Sequence, residues 1–176
     1  MADPAPGASP AHRGSVELRT GRLTLITLTP GLARAALEDR EGLERALGAR
    51  VPPEWPGADF ARMLPRIARA PAAPFTRLII HGDDRTVIGE SGFHGPPDGT
   101  GAVEIGYSII PEYRGRGLAS EAAQSLIEEA FTNPGVNRVV AECLDDNAPS
   151  LRVLEKLGMR RSGSAGGSVR FELRRS

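Results

Sequence analysis

The sequence is poor in the residues that build disulfides and metal sites. It contains one cysteine, Cys143, and three histidines among its 176 residues. A single cysteine cannot form an intrachain disulfide, and so few potential ligands make a zinc site of the Cys/His type implausible. We therefore expect no metal, and we expect a reducing compartment, most simply the cytoplasm.

Net charge and long apolar runs are also absent. Lysine plus arginine and aspartate plus glutamate number 22 each, so the formal net charge is zero. This balance indicates no global attraction to nucleic acid or to a membrane surface. No apolar run approaches the roughly 20 residues that span a bilayer, and the start of the sequence lacks the pattern of a signal peptide. We expect no nucleic-acid partner and no membrane partner.

What the sequence does contain is enough apolar residues for one core. Hydrophobic residues make up 40% of the sequence, which suits a single domain of this length. Residues 1–15 are rich in Ala, Pro, Gly and Ser and predict a disordered leader, because they cannot bury enough apolar surface to offset ordering. Residues 16–176 are predicted to form one domain.

The first half of this domain is predicted to run from strand to helices. Val16 to Thr29 has the partial alternation of a strand and ends at a Thr-Pro pair typical of a helix start. Glycines predict two short helices, not one long one, between Leu32 and Leu47. After a proline-rich loop, a helix from Asp59 to Ala70 is predicted to end at Pro71 and Pro74. Its expected apolar face consists of Phe60, Met63, Leu64 and Ile67.

The second half is predicted to contain a sheet with two crossing helices. Strands at 75–80, 86–89 and 102–110 form an antiparallel meander. A helix from Leu118 carries apolar residues every three or four positions to Phe131 and ends at residues 133–135. A strand at 138–143, a helix at 147–157 and a hairpin at 159–173 follow. This order predicts an α+β fold with a mixed, largely antiparallel central sheet between helices, in three α/β/α layers.

One stretch, VEIGYSIIPEYRGRGLASEA, predicts an anion site. A strand passes through a glycine-rich turn into a helix, whose first N–H groups lack partners and whose dipole favours negative charge. Gly115 and Gly117 permit close backbone approach, and Arg114 and Arg116 add positive charge. An ordinary turn with solvated arginines is the alternative. The stretch is neither a nucleotide P-loop, which ends in Gly-Lys-Ser/Thr, nor a GxGxxG dinucleotide motif.

The residues from Arg114 to Ala119 match the Q/R-x-x-G-x-G/A signature of a known family. A second motif, Asn147-Ala148-Pro149-Ser150 before LEKLGM, lies at the expected separation. The sequence resembles the GNAT superfamily of N-acetyltransferases over residues 16–173, and most of all the branch of ribosomal-protein alanine and serine N-terminal acetyltransferases. The resemblance implies that acetyl-CoA is the cosubstrate and that a primary amine, on a peptide N-terminus or a small molecule, attacks it directly in a ternary complex. The protein is expected to be a monomer or homodimer.

The resemblance also implies which residues bind the cosubstrate. Backbone groups of the strand end are expected to bond the pantetheine arm: Tyr107, Ser108 and Ile109. The pyrophosphate is expected on the glycine-rich turn and helix start: Arg114, Gly115, Arg116, Gly117, Leu118 and Ala119. Asn147 is expected to contact the pantetheine, and Ser150 to lie near the sulfur. Without the resemblance, Asn147 and Ser150 would be interpreted as a helix cap and a first-turn residue.

The proton-transfer groups are less clearly marked. Glu104 and Glu142 occupy positions where relatives place a general base, although a route through water alone remains open. Many members carry a tyrosine as general acid where this sequence has Leu154, so Ser150 or water is expected to protonate the thiolate. On motif grounds neither Tyr107 nor Tyr113 is a substitute. Cys143 is expected in the core, and His94 is a weaker candidate for the site.

Two further expectations concern function. The acceptor is expected to enter opposite the cosubstrate, between the early helices and the last hairpin, where Trp55 is either part of the wall or a loop anchor. The alternative to an enzyme is a non-catalytic acyl-CoA-binding sensor or interaction module, for which the leucine at position 154 is weak support.

Overall fold

The computed structural model describes residues 17–70 and 75–175. Eight strands run in chain order: β1 Glu17–Arg19, β2 Leu23–Thr27, β3 Thr76–His81, β4 Thr86–Phe93, β5 Ala102–Ile109, β6 Arg138–Leu144, β7 Arg160–Ala165 and β8 Ser168–Arg174. Five α-helices accompany them: α1 Pro30–Glu38, α2 Arg40–Leu47, α3 Ala58–Arg69, α4 Leu118–Thr132 and α5 Ala148–Lys156. The predicted leader and the prolines predicted to end α3 lie outside the described residues.

The strands form one sheet in the order β1-β2-β3-β4-β5-β6-β8-β7. All neighbouring pairs are antiparallel except β5 and β6, which are parallel. Parallel neighbours need a crossover connection, and α4 provides it. The predicted mixed, largely antiparallel sheet is confirmed.

Helices cover both faces of this sheet. Neighbouring residues of a strand point to opposite faces, so Glu90 and Ser91 of β4 mark the two sides. Glu90 accepts a hydrogen bond from Trp55, in the loop before α3. Arg77 is paired with Ser91 across the strands and forms an ion pair with Glu129 of α4. Helix α4 therefore lies on the face opposite to Trp55 and α3, which confirms the three-layer arrangement.

The two short helices α1 and α2 are separated by a capping residue. The prediction of two helices is confirmed, but the break comes at Asp39 and not at Gly42, which lies inside α2. The Asp39 carboxylate accepts a hydrogen bond from the backbone N–H of Gly42 and so begins the second helix. A Cβ at position 42 would lie 2.1 Å from this carboxylate, so the glycine is needed for the cap.

Three other details differ from the sequence-based expectations. The stretch from Val16 to Thr29 is not one strand: its described part is the hairpin of β1 and β2, closed by a hydrogen bond from the N–H of Thr20 to the carbonyl of Leu23. Met63 is 47% exposed, because α3 turns its other apolar residues to the core. Cys143 is only partly buried. In the described ranges, no helix combines the length and apolar character that crossing a membrane requires.

Candidate active site

Strands β5 and β6 separate part-way along their length. Their pairing covers only the first three residues of β5, ending where Glu104 lies beside Val140. On its other side β5 stays paired with β4 as far as Ile109. The segment 105–109 therefore has one paired edge and one edge that no described strand covers.

The backbone groups on the open edge can be assigned from the hydrogen-bond alternation. In an antiparallel pair, alternate residues bond the partner strand. The N–H of His94 donates to the carbonyl of Glu104, and that of Ile110 donates to the carbonyl of Ile88. Even-numbered residues of β5, including Ser108, thus face β4, and the backbone groups of Tyr107 and Ile109 face the opening. An extended ligand could pair with this edge as an added strand.

The glycine-rich turn lies at the end of this edge. Gly115 and Gly117 have φ values of 74° and 77°, in the left-handed region that favours glycine. Gly117 is the N-cap of α4 and provides no side-chain acceptor for the first N–H groups of the helix. Apart from its chain neighbours, no described residue has a heavy atom within 4 Å of where a Cβ of Gly115 would be. The turn therefore leaves space and backbone donors for an anion.

Two side-chain networks hold the turn in place. In the first, Glu121 of α4 accepts hydrogen bonds from the hydroxyl of Thr20 and from the backbone and guanidinium of Arg22. Arg22 also donates to the carbonyl of Arg116, at 2.9 Å. The pKa of Glu121 is lowered by these hydrogen bonds, although burial opposes them. The turn between β1 and β2 is thereby fastened to the start of α4.

The second network comes from the turn between β3 and β4. The hydroxyl of Tyr113 donates to Asp84 at 2.6 Å, and the ring of His81 contacts the other oxygen of that carboxylate. The pKa of Asp84 is lowered, chiefly by the Tyr113 hydrogen bond. The guanidinium of Arg116 lies 4.8 Å from the centre of the Tyr113 ring. Both exposed arginines of the turn also have backbone partners: Arg116 donates to the carbonyl of Glu112, and Arg114 to that of Ile109.

The second motif lies at the start of α5. The side chain of Asn147 accepts from the N–H of Ser150 at 3.2 Å, which is the capping role. Leu154 is 1% exposed and belongs to the core, and a leucine side chain has no proton to donate. The hydroxyl of Tyr107 is buried and lacks a hydrogen-bond partner among the described residues, but Ser150 lies near it. Burial raises the pKa of Tyr107 to about 12.

The two carboxylates singled out from the sequence lie on the same face as Trp55. Glu104 is partly exposed, and one oxygen lies 2.8 Å from the Nδ1 atom of His94. Glu142 is exposed and is paired across the strands with Arg170. The structure therefore brings Glu104 and His94 together, and Glu142 lies on the next strand of this face.

A third carboxylate, Glu90, was missed by the sequence reasoning. It is 9% exposed, and its Oε2 atom accepts a hydrogen bond of 2.9 Å from the Nε1 atom of Trp55. Burial raises the pKa of Glu90 to about 7, although hydrogen bonds from Trp55 and Ser108 oppose the shift. The signal available in the sequence was a lone charged residue inside the apolar strand VIGESGF.

The fold and the site define an acetyltransferase. The family described as the acetyltransferase (GNAT) domain matches residues 22–160, and the chain belongs to this family. Members of the family use acetyl-CoA as cosubstrate, and this chain is an acetyltransferase enzyme.

Individual relatives support the same assignment. The chain is 35% identical over 150 residues to the protein named uncharacterized N-acetyltransferase YjdG of Bacillus subtilis (strain 168), covering 81% of this chain and 89% of that one. The protein named uncharacterized N-acetyltransferase YnaD of the same organism is 45% identical over 65 residues, which cover 37% of this chain and 38% of that protein.

Solved structures share the fold. A GNAT-family acetyltransferase from Bacillus anthracis has a TM-score of 0.63 at 23% identity, covering 90% of this chain and 98% of that one. The ribosomal-protein-S5-alanine acetyltransferase of Vibrio fischeri has a TM-score of 0.61 at 17% identity, covering 90% and 96%. At these identities, the similarity shows the shared fold.

Proposed function

We propose that this enzyme transfers the acetyl group of acetyl-CoA to a primary amine by direct attack within a ternary complex. The observation that carries the proposal is the open edge of β5, which leads into the glycine-rich turn at the start of α4. One edge offers backbone pairing to an extended chain, and the turn beside it offers donors to an anion. An acyl-CoA combines these two features, a pantetheine arm and a pyrophosphate.

The residues at this edge fit such a ligand. The backbone groups of Tyr107 and the N–H of Ile109 would pair with the pantetheine amides, since the carbonyl of Ile109 accepts a hydrogen bond from Arg114. The Ser108 side chain is exposed and its backbone is paired with β4, so this residue would contribute through its side chain. The N–H groups after Gly117 would bind the pyrophosphate together with the guanidinium groups of Arg114 and Arg116.

The side chain of Leu118 packs in the core, so only its backbone is available to the ligand, and Ala119 is half-buried behind it. Asn147 would add a contact to the pantetheine. Ser108 departs from the expectation, because its backbone is paired with β4 and cannot bond the pantetheine; the other proposed roles are those that the family resemblance implies.

Acetyl-CoA supplies an acetyl group that is already activated as a thioester. The protein then has to orient the amine, accept its proton and protonate the departing sulfur. Ser150 is the proposed proton donor, because its hydroxyl lies at the start of α5 and the tyrosine of other members is replaced by the buried Leu154. On the face of Trp55, Glu104, Glu142 or a water molecule could accept the proton of the amine.

The acceptor would approach from the face that carries Trp55 and Glu104. This face is bounded by α3 and by the hairpin of β7 and β8. The branch resemblance supports a peptide N-terminus as acceptor. The alternative acceptor is a primary amine on a small molecule.

The test is release of free CoA thiol, measured with acetyl-CoA and a panel of peptides and small amines. Saturable, amine-dependent release is expected. Gly117→Trp should abolish acetyl-CoA binding, because its side chain enters the turn. Gly158→Trp is a matched control, since Gly158 has nearly the same φ of 75° but lies after α5. Acetyl-CoA should raise the melting temperature of the control and not that of Gly117→Trp. Equal affinities would contradict the placement of the pyrophosphate.

The second candidate function is a sensor that binds acyl-CoA without turnover. The observation that favours a sensor is the buried leucine at position 154, because it leaves α5 without a proton-donating side chain there. Binding of acetyl-CoA with no thiol release above spontaneous hydrolysis across the whole panel would support the sensor over the enzyme.

A further inference from the structure

Glu90 lies close to the open edge without being part of it. Its partner across the strands is Ser108, in the segment of β5 whose other edge is open. Neighbouring strands are about 4.8 Å apart, so the backbone of Glu90 lies about 10 Å from the line that an added strand would follow. A glutamate side chain and one water molecule span the remaining distance to an amine above the sheet.

Glu104 and Glu142 are less well placed. Glu104 is four residues before Ser108, about 13 Å along the strand, at the point where β5 and β6 are still paired. Its carboxylate is partly exposed and contacts His94. Glu142 is exposed opposite Arg170. Neither carboxylate is removed from water in the way that Glu90 is.

The side chain of Glu90 is held by a rigid neighbour. Trp55, which donates to one oxygen of the carboxylate, is 1% exposed and packs against the ring of Phe60 at 6.0 Å. The guanidinium of Arg40 donates to the backbone carbonyl of Trp55 and to two earlier carbonyls of the same loop. One carboxylate oxygen of Glu90 is thus fixed by Trp55, and Ser108, on the strand that borders the open edge, also hydrogen-bonds the carboxylate.

We infer that Glu90 is the group that accepts the proton of the acceptor amine, directly or through one water molecule. This inference rests on the proposed function. As the N–H bond breaks, the proton passes to the carboxylate and the nitrogen lone pair forms the bond to the acetyl carbon. The carbon–sulfur bond breaks, its electron pair stays on sulfur, and the resulting thiolate takes a proton from Ser150 or from water. Trp55 is the positioning residue.

The surroundings of Glu90 make it a base at neutral pH. Burial raises its pKa to about 7, close to the value at which a base serves an amine best. The groups that contact it from the loop and from β5, Trp55 and Ser108, carry no charge. On the same face lie Glu142 and the Glu104–His94 pair, while Arg40 and the exposed Glu54 belong to the surroundings of Trp55.

The first experiment is the pH dependence of kcat/KM with two primary amines of different pKa. The wild-type rate should rise along a limb near pH 7 that is the same for both amines, because it belongs to the enzyme. Glu90→Gln should lower kcat/KM by about 100-fold and remove this limb. Trp55→Phe should move the limb to higher pH, since the indole lowers the pKa of Glu90.

Two matched variants serve as controls. Glu104→Gln and Glu142→Gln should retain the limb near pH 7. Glutamine can still accept the hydrogen bond from Trp55, so Glu90→Gln should keep its fold and its affinity for acetyl-CoA. A Glu90→Gln enzyme with the wild-type rate and limb, or loss of the limb in Glu104→Gln, would overturn the inference.

The second experiment does not require turnover. Trp55 is the only tryptophan of the chain, so its fluorescence should report the titration of Glu90 near pH 7 and should lose this transition in Glu90→Gln. A bound primary ammonium group should move the midpoint to lower pH. If no amine is acetylated but an amine still moves the midpoint of the fluorescence titration, the proposed function fails. Glu90 is then still the group that contacts the bound amine. If no amine moves it, the assignment of Glu90 is refuted.

Discussion

Glu90→Gln should stabilise the protein at the same pH values at which it impairs turnover. The carboxyl of Glu90 has a pKa of about 7 in the folded protein, against 4.5 as its ordinary value. Between these values the folded state holds a proton that the unfolded state has released. The free energy of unfolding must therefore fall as the pH rises through this window, since stability rises with pH only where the unfolded state binds more protons. Glutamine does not titrate, so the variant lacks this loss.

The size of the effect follows from the two pKa values. Between pH 5 and pH 8, proton linkage at this one carboxyl removes about 2.5 kcal/mol from the free energy of unfolding. Three carboxyls with lowered pKa values have lost most of their protons in both states by pH 5: Asp84, Asp98 and Glu121. Three groups with raised pKa values titrate above this window: Tyr107, Tyr113 and Cys143. Among the groups with shifted pKa values, Glu90 is therefore the one that titrates between pH 5 and pH 8.

Urea denaturation at pH 5 and pH 8 measures this difference. From pH 5 to pH 8, the free energy of unfolding of the wild type should fall by about 2.5 kcal/mol more than that of Glu90→Gln. Glu104→Gln should behave like wild type. If wild type and Glu90→Gln change in parallel, the carboxyl is not held in a desolvated site and the physical argument for its altered pKa fails.

Three further predictions concern other buried or clamped groups. Tyr107→Phe should raise the free energy of unfolding by about 0.5–1 kcal/mol, because it removes a buried hydroxyl for which the described residues provide no well-formed hydrogen bond. A lower free energy in urea denaturation would mean that the nearby Ser150 forms a stabilising hydrogen bond with this hydroxyl. Glu129→Leu should lower the free energy of unfolding by about 3 kcal/mol, since it leaves the charge of the buried Arg77 guanidinium without its carboxylate partner. The double variant with Arg77→Met should recover most of this loss, and failure to do so in a double-mutant cycle would contradict the argument. Arg22→Ala should weaken acetyl-CoA binding about fivefold in calorimetry, because the carbonyl of Arg116 loses the donor that holds the turn; an unchanged Kd would show that the turn needs no such clamp.

Local patterns in the sequence predicted the elements well. The apolar repeat from Leu118 to Phe131 predicted α4, and the Asn-Pro-Gly at its end marks where the helix stops. Residue spacing gave a wrong prediction of burial where contacts between distant segments decide it. Met63 fits the apolar face of α3 by its spacing, yet packing directs it outward.

The candidate site shows the same division. The turn from Arg114 to Ala119 could be recognised as an anion site because glycine, helix start and positive charge are all local features. Glu90 stands out locally only as a charged residue in an apolar strand, and its burial could not be predicted, because that depends on Trp55, 35 residues earlier in the chain.

The sequence by itself determined the family, the order of strands and helices, and the glycine-rich turn, because each of these depends on residues close together in the chain. The tertiary structure decided which backbone groups of β5 are open, how Arg22 and Asp84 fasten the turn, and which carboxylate is removed from water. These depend on strand pairing and on contacts between distant segments, and a carboxyl changes its pKa only when folding brings its neighbours around it.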